Sequence, residues 1–230
     1  MIKYKNLMVI GTSHIAKQSL EEVEGIIKST KPQVVALELD RNRFIGIHNK
    51  ELKKKPGITD IKQLGFKGYI FALIGGYVEK KLGSQVGVSP GDEMLKAVEA
   101  ASSVEAKIAL IDQDIKITLK NFSRTLTWKE RGRFLVDIIK QLFKGKQKLP
   151  FDLRKVPEKE LVTKLITKMQ ERYPNVYKSL VGDRNVYMAK RLWKLMQNYG
   201  LIVAVVGVGH EEELIEEVRL IERNKKQQLN

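Results

Sequence analysis

The chain has 230 residues, 43% of them hydrophobic, enough to bury the core of one large or two small domains, which excludes a disordered tail. It contains no cysteine, so disulfide frameworks, thiolate metal sites and cysteine nucleophiles are excluded, and any metal would have to be held by histidine and carboxylate. The formal net charge of +15 is local: residues 116–159 carry 13 basic against 4 acidic side chains, whereas residues 1–115 carry 17 against 14.

At the start of the chain, Met1 to Ile10 has too short an apolar core, and no small-residue cleavage site behind it, to read as a signal peptide, so a cytoplasmic location is expected. Leu7 to Ile10 is a short apolar run of the kind that forms a buried strand. In Lys17 to Ser29 the residues Leu20, Val23, Ile26 and Ile27 recur at helical spacing, with Lys31-Pro32 as the stop. A second buried strand follows at Val34 to Leu39. A strand, helix, strand unit normally lays its two strands parallel, with their carboxyl ends on the same edge.

Next comes a Lys-rich stretch, Lys50 to Lys55, closed by Pro56-Gly57, then an apolar segment from Phe66 to Val78 that reads as one or two helices. Its longest apolar run, Tyr69 to Val78, is 10 residues and is interrupted by Gly75 and Gly76. That is far short of the roughly 20 residues that cross a bilayer, so no membrane span is expected. The same segment would suit either core burial or a homo-oligomer contact. Ser89-Pro90-Gly91-Asp92 opens another helix, whose apolar face is Met94, Leu95, Val98 and Ala101. Ile108 to Ile111 is the third strand.

From Lys116 to Tyr199 the patterns are helical only: Trp128 to Phe143, Glu158 to Tyr173 and Arg184 to Tyr199, separated by Pro150, Pro157 and Pro174. A fourth strand, Leu201 to Val206, and an amphipathic helix, Glu211 to Ile221, complete the series, with a frayed tail expected from Asn224 to Asn230. The expected fold is one α/β domain over residues 1–230: a central, largely parallel or mixed sheet flanked by helices, with a basic helical insertion at about 116–200 before the last strand. Abundant Lys and Glu without Cys suits a heat-adapted or archaeal source.

Two of the three histidines occupy the same local design. Leu7-Met8-Val9-Ile10-Gly11-Thr12-Ser13-His14 and Val203-Ala204-Val205-Val206-Gly207-Val208-Gly209-His210 are each an apolar strand, then Gly-x-x-His, then an amphipathic helix. Each imidazole should therefore emerge at the strand edge where open α/β sheets bind ligands. The glycine would permit a tight turn and close approach of a ligand to the backbone. Glu38 ends the second strand on that edge, and Asp112 ends the third in a matching way. His14, His210 and Glu38 would make a site for Mn²⁺, Fe²⁺, Co²⁺ or Zn²⁺ with positions left for water, which such an ion could turn into a nucleophile. Glu38 could instead pair with Arg41 or Arg43, and His48, beside the Lys-rich stretch, reads as a surface residue. Gly207-Val208-Gly209 lacks the third glycine, the following strand and the acidic residue of a dinucleotide loop, so no nucleotide cofactor is expected.

Gly11-Thr12-Ser13-His14, Glu38-Leu39-Asp40 with Arg41 and Arg43, Gly91-Asp92-Glu93-Met94, Ile111-Asp112-Gln113-Asp114 with Thr118-Leu119, Asp183-Arg184-Asn185 with Tyr187-Met188, and Gly207-Val208-Gly209-His210 follow the order seen in the TraB family. The chain resembles that family, with its pheromone-shutdown proteins PrgY and TraB and the Tiki and GumN proteins, over nearly its whole length. The resemblance implies a metal-dependent hydrolase or peptidase acting on a peptide or a small ester or amide. His14, His210 and Glu38 then correspond to the metal and catalytic centre. The wider relatives, of the erythromycin esterase and haem-binding ChaN type, mean that the scaffold does not fix one chemistry. Two departures stand out: the C-terminal membrane helices of many TraB proteins are absent from the sequence, and the usual Glu-Arg pair is Asp183-Arg184.

By the same resemblance Arg184 supplies a positive charge suited to a substrate carboxylate or a developing oxyanion, with Asp112 or Glu93 orienting the groups. Arg184 could equally be a salt-bridge partner of Glu93 or Asp112, and Glu93 could simply favour its helix N-terminus. The competing reading is a binding module in which the basic segment Lys116 to Lys159, with Phe122, Trp128, Phe134 and Phe143 among its cations, engages nucleic acid or another anionic surface. Phe134, Ile138, Ile139 and Leu142 fall on one helical face and read better as core, which makes a nucleic-acid groove the weaker expectation.

Overall fold

A strand made entirely of aliphatic residues needs cover on both faces, and this chain supplies it with helices drawn from before and after each strand. The computed structural model describes residues 1–12, 17–48, 91–130, 132–133, 136–137 and 159–228. Among them five strands form one sheet: β1 (Ile2–Tyr4), β2 (Leu7–Thr12), β3 (Val34–Leu37), β4 (Lys107–Leu110) and β5 (Ile202–Gly207), in the order β1-β2-β5-β3-β4. Strands β2, β5, β3 and β4 run parallel, and β1 runs antiparallel to β2. The last strand in sequence therefore lies in the middle of the sheet, between the first two strands of the expected unit.

The described helices are α1 (Lys17–Thr30), α2 (Arg41–His48), α3 (Asp92–Ser103), α4 (Ile115–Thr125), α5 (Lys159–Arg172), α6 (Pro174–Tyr177), α7 (Asp183–Met196) and α8 (Glu211–Gln227), with a π-helical turn, Lys178–Gly182, between α6 and α7. Residues 128–130, 132–133 and 136–137 are also helical, as expected within Trp128 to Phe143. The segment Phe66 to Val78 lies outside the described residues. Among the described residues no helix is long and apolar enough to cross a membrane.

Alternation along the strands sorts side chains into two cores. Leu7, Val9, Val34, Ala36, Ile202, Ala204 and Val206 face α7 and α8, where Met188, Leu192, Leu214 and Val218 meet them. Met8, Ile10, Val35, Leu37, Val203 and Val205 face α1 and α3, packing on Val23, Ile27, Met94 and Ala97. With both faces buried, β2, β3 and β5 read as continuous apolar runs, which is why they stand out in the sequence; β4, at the sheet edge, is apolar but half-exposed.

The differences from expectation are at element ends. β1 has three residues with alternating exposure and too little apolar character to register as a strand; Lys5, at φ 53°, turns it back into β2. α2 begins where Asp40 Oδ1 accepts the backbone N–H of Asn42 at 2.8 Å and of Arg43 at 3.0 Å, an N-cap on a short segment of weak pattern. The tail expected to fray at Asn224 is helical through Gln227. Its first turn carries Glu211, Glu212 and Glu213 and its last turn Lys225 and Lys226, charges that suit the helix dipole at each end.

Candidate functional site

Four parallel strands deliver their carboxyl ends to one edge, and the chain leaves each at a different height. Leu37 lies beside Val205 in register, two residues short of Gly207. Glu38 is thus the first residue beyond β3 and not a strand residue, yet its N–H still donates to the Val205 carbonyl at 3.1 Å. Its carboxylate reaches past the end of β3, where Oε2 accepts the Gly207 N–H at 2.7 Å. Asp112 also follows its strand: its N–H donates to the Leu39 carbonyl at 3.3 Å, and its Oδ1 accepts the Gln113 N–H at 2.8 Å. His210 stands at the end of the β5 turn, immediately before α8, and its N–H donates to the Gly207 carbonyl at 2.9 Å. Glu38, Asp112 and His210 are all buried.

Arg184 approaches from the helical side, in the first turn of α7 directly after the π-helical turn, an irregularity often found at functional sites. Its Nε donates to Asp112 Oδ1 at 3.1 Å; one Nη donates to Asp112 Oδ2 at 2.6 Å and to Glu38 Oε1; the other donates to the Leu180 carbonyl at 3.2 Å and faces His210 Nε2 at 3.3 Å. Five contacts match the five N–H donors of a guanidinium. Burial opposes the charge, but Glu38 and Asp112 outweigh it and hold the guanidinium above its ordinary pKa. Arg43 completes the cluster, donating to Asp40 at 2.7 Å and to Asp112. Three carboxylates and two guanidinium groups thus interlock, an arrangement in which losing one member leaves a buried charge without its counterpart.

His210 is held from behind. Its Nδ1 lies 2.6 Å from Asn185 Oδ1, and its Nε2 is turned to Glu38 Oε1 at 3.3 Å. Asn185 in turn donates to Glu213 Oε2 at 2.9 Å, and that same oxygen accepts the Tyr177 hydroxyl.

The structure brings together four of the expected site residues, Glu38, Asp112, Arg184 and His210. Of the two candidate partners of Arg184, Asp112 is bonded to it, and Glu38, a candidate partner of Arg41 or Arg43, is bonded to Arg184. Glu93 is buried in the first turn of α3. His14 lies outside the described residues, as does the side chain of His48. The glycines differ from their expected use: Gly11 is a strand residue whose added Cβ would lie 3.0 Å from the Val208 Cα and 3.1 Å from Glu211 Oε2. It permits two chain segments to approach, and the one described glycine with positive φ is Gly91, at 93°.

Metal–donor bonds of about 2.0–2.2 Å put neighbouring ligands roughly 3.0–3.5 Å apart. The 3.3 Å between His210 Nε2 and Glu38 Oε1 fits that span, with Arg184 against both atoms in this structure, and an imidazole oriented through its other nitrogen by a hydrogen-bond acceptor is the usual support of a ligand. Imidazole plus carboxylate suits Mn²⁺, Fe²⁺, Co²⁺ or Zn²⁺. Among the described residues no group of three such donors forms; His14, the third expected ligand, is not among them.

Asn185 had no assigned role in the sequence. Its signal is periodicity: Asn185, Met188, Ala189, Leu192 and Met196 are the buried residues of α7, so a polar side chain occupies an apolar stripe. Tyr177 and Glu213 carry no comparable signal: Tyr177 ends a four-residue helix too short for a periodic pattern, and Glu213 is one of three glutamates opening α8.

The sequence profile of the TraB/PrgY/gumN family matches residues 3–228. An uncharacterized protein of Methanocaldococcus jannaschii is 37% identical over 220 residues, 94% of this chain and 54% of that protein. Proteins named TraB domain-containing protein from Homo sapiens and Bos taurus are 24% and 25% identical over 233 residues, 88% of this chain and 60% and 59% of theirs. The chain therefore spans between half and two thirds of the length of these relatives.

Proposed function

The chain belongs to the TraB/PrgY/gumN family, and from that premise we propose that it is a metal-dependent hydrolase of peptidase type, acting on a peptide or a small ester or amide at the carboxyl edge of its sheet. The observation that carries this reading is the approach of His210 Nε2 to Glu38 Oε1, from the segments that follow β5 and β3, inside a buried charged cluster. His210, Glu38 and His14 would hold the ion. A divalent Mn, Co, Zn or Fe ion supplies water activation and carbonyl polarisation at such a site.

The remaining work falls to the chain's own groups. Glu38 is fixed by the Gly207 N–H on one oxygen and by Arg184 on the other, so its carboxylate keeps one orientation without a ligand's help. Arg184 serves Glu38 and Asp112 with three of its donors. Its role in this reading is to hold the acids in place and to offset their charge as substrate enters, ahead of gripping a substrate carboxylate. Asp112, braced by Arg43, anchors the far side of the guanidinium.

Elemental analysis of the purified protein beside His14→Ala and His210→Ala, with hydrolysis of a peptide and ester panel, tests the reading. Bound transition metal and hydrolysis should both be lost in each variant; unchanged activity in the two would overturn it.

A second reading, engagement of an anionic partner by the basic segment, draws on Trp128, which is 83% exposed between exposed Lys120, Arg124 and Lys129. Its test is a filter-binding titration with duplex DNA and heparin over a range of salt, where counterion release demands a steep fall in affinity. Binding that is absent, or indifferent to salt, removes it.

A further inference from the structure

Neutral imidazole carries one proton on either nitrogen, and for His210 the neighbours decide which. Asn185 is fully buried, and its amide has only one workable orientation: Glu213 Oε2, 2.9 Å away, belongs to a carboxylate and accepts, so the nitrogen of the amide must face it. The amide oxygen is then turned to His210 Nδ1 at 2.6 Å and can only accept, which requires a proton on Nδ1. The opposite side of the ring does not decide: Nε2 lies 3.3 Å both from a terminal nitrogen of Arg184, which can only donate, and from Glu38 Oε1, which accepts, so the choice of tautomer falls to the Nδ1 side.

Glu213 is itself held in register. The Tyr177 hydroxyl donates to the same Oε2, and burial followed by the Glu213 bond keeps that phenol protonated well above its ordinary range. The chain of contacts thus runs from α6 through α8 and α7 to the ring.

We propose that Asn185, seated on Glu213, is a positioning residue that locks neutral His210 into the tautomer with the proton on Nδ1, leaving a lone pair on Nε2, between Arg184 and Glu38. The inference deepens the hydrolase reading and rests on it for the use to which that lone pair is put. It assigns a purpose to the asparagine of the Asp183-Arg184-Asn185 motif: an imidazole that presents Nε2 to a metal must keep its proton on Nδ1, and a buried amide oxygen holds it there without adding charge.

The test is a long-range ¹H–¹⁵N correlation spectrum of the full chain labelled with ¹⁵N-histidine, in alkaline buffer so that the rings are neutral, without added metal. With three histidines in the chain, His210→Gln assigns the signals. The wild type should show a protonated Nδ1 and a bare Nε2 at His210. In Asn185→Leu the two nitrogens should exchange identities or average between the two forms, and Glu213→Gln, which frees the amide to turn, should give a mixture. A wild-type spectrum with the proton on Nε2 overturns the proposal, whatever the variants do. A protonated Nδ1 that persists in Asn185→Leu overturns the role of Asn185. Metal analysis is a separate axis: a correct tautomer in a protein that binds no transition metal keeps this inference and removes the hydrolase reading.

Discussion

Arg184 is the residue whose loss the site can least absorb. Arg184→Ala leaves Glu38 and Asp112 buried with their shared cation gone, and removing one partner of a buried ion pair costs about 3–5 kcal/mol. Chemical denaturation should register a drop of that size, with Arg184→Lys intermediate because an ammonium keeps the charge but cannot bond both acids in one plane. A loss under about 1 kcal/mol, the scale of an exposed pair, would mean that the cluster is solvated and not as placed here. At this scale the sequence was informative where a residue type is rare or interrupts a pattern. Two of three histidines in one repeated design singled out His210, and Glu38 and Asp112 stood out as acids closing apolar runs. Which acid meets which arginine was not legible, because pairing depends on the register of β3 against β5 and on the angle at which α7 arrives, and neither leaves a mark in local composition.

Among elements, the buried strands were readable because both their faces are covered, and their order was not. Nothing in the run Val203 to Val206 states that it lies between β2 and β3; that follows from how the helices after β4 return the chain to the middle of the sheet. The close passage of the β5 turn over β2 is an element-scale constraint with its own test. A methyl group at Gly11 would meet the Val208 Cα at 3.0 Å, backbone that cannot step aside like a side chain. Gly11→Ala should therefore destabilise by about 1–3 kcal/mol, the usual cost of overpacking, and should move the imidazole resonances of His210, which the same turn carries. A thermal midpoint and a His210 signal both identical to wild type would contradict the packing. The β1–β2 turn is clasped to α8 in a different way: Tyr4 donates to Glu222 at 2.7 Å and Lys5 donates to its other oxygen. The Lys5 bond first, then the Tyr4 bond, lowers the Glu222 pKa from 4.5 to about 2. A depressed carboxylate contributes stability that is present above its unfolded value and lost as pH falls through the folded one. Wild type should exceed Glu222→Gln by a few tenths to about 1 kcal/mol at neutral pH, given how strongly solvent screens such pairs, and the gap should close between pH 4.5 and about 2. A gap that stays constant with pH would show that the clasp is not ionic.

At the scale of the whole molecule, the sheet separates apolar packing from the charged cluster by position. The two cores lie along its faces, and the charged cluster lies beyond one edge, joined to the first core through α7, which buries Met188 and Leu192 against the strands while presenting Arg184 and Asn185 from its first turn. Leu192 is fully buried, so Leu192→Ala should cost about 2–5 kcal/mol, the range for leucine lost from a packed core. Its side chain lies two turns of helix beyond Arg184, along a rigid rod that is also anchored at its far end, where Asn6 bonds the Met196 and Tyr199 carbonyls at 2.9 and 2.7 Å. The cavity should therefore lower the population of folded molecules without turning the rod. The expected result is a large fall in unfolding free energy together with an unchanged His210 tautomer in the molecules that remain folded, read in one sample by denaturation and by ¹⁵N-histidine spectra. A His210 signal that shifts in Leu192→Ala while Arg184→Lys leaves it in place would reverse the assignment, making core packing, and not the ion cluster, the element that sets the ring.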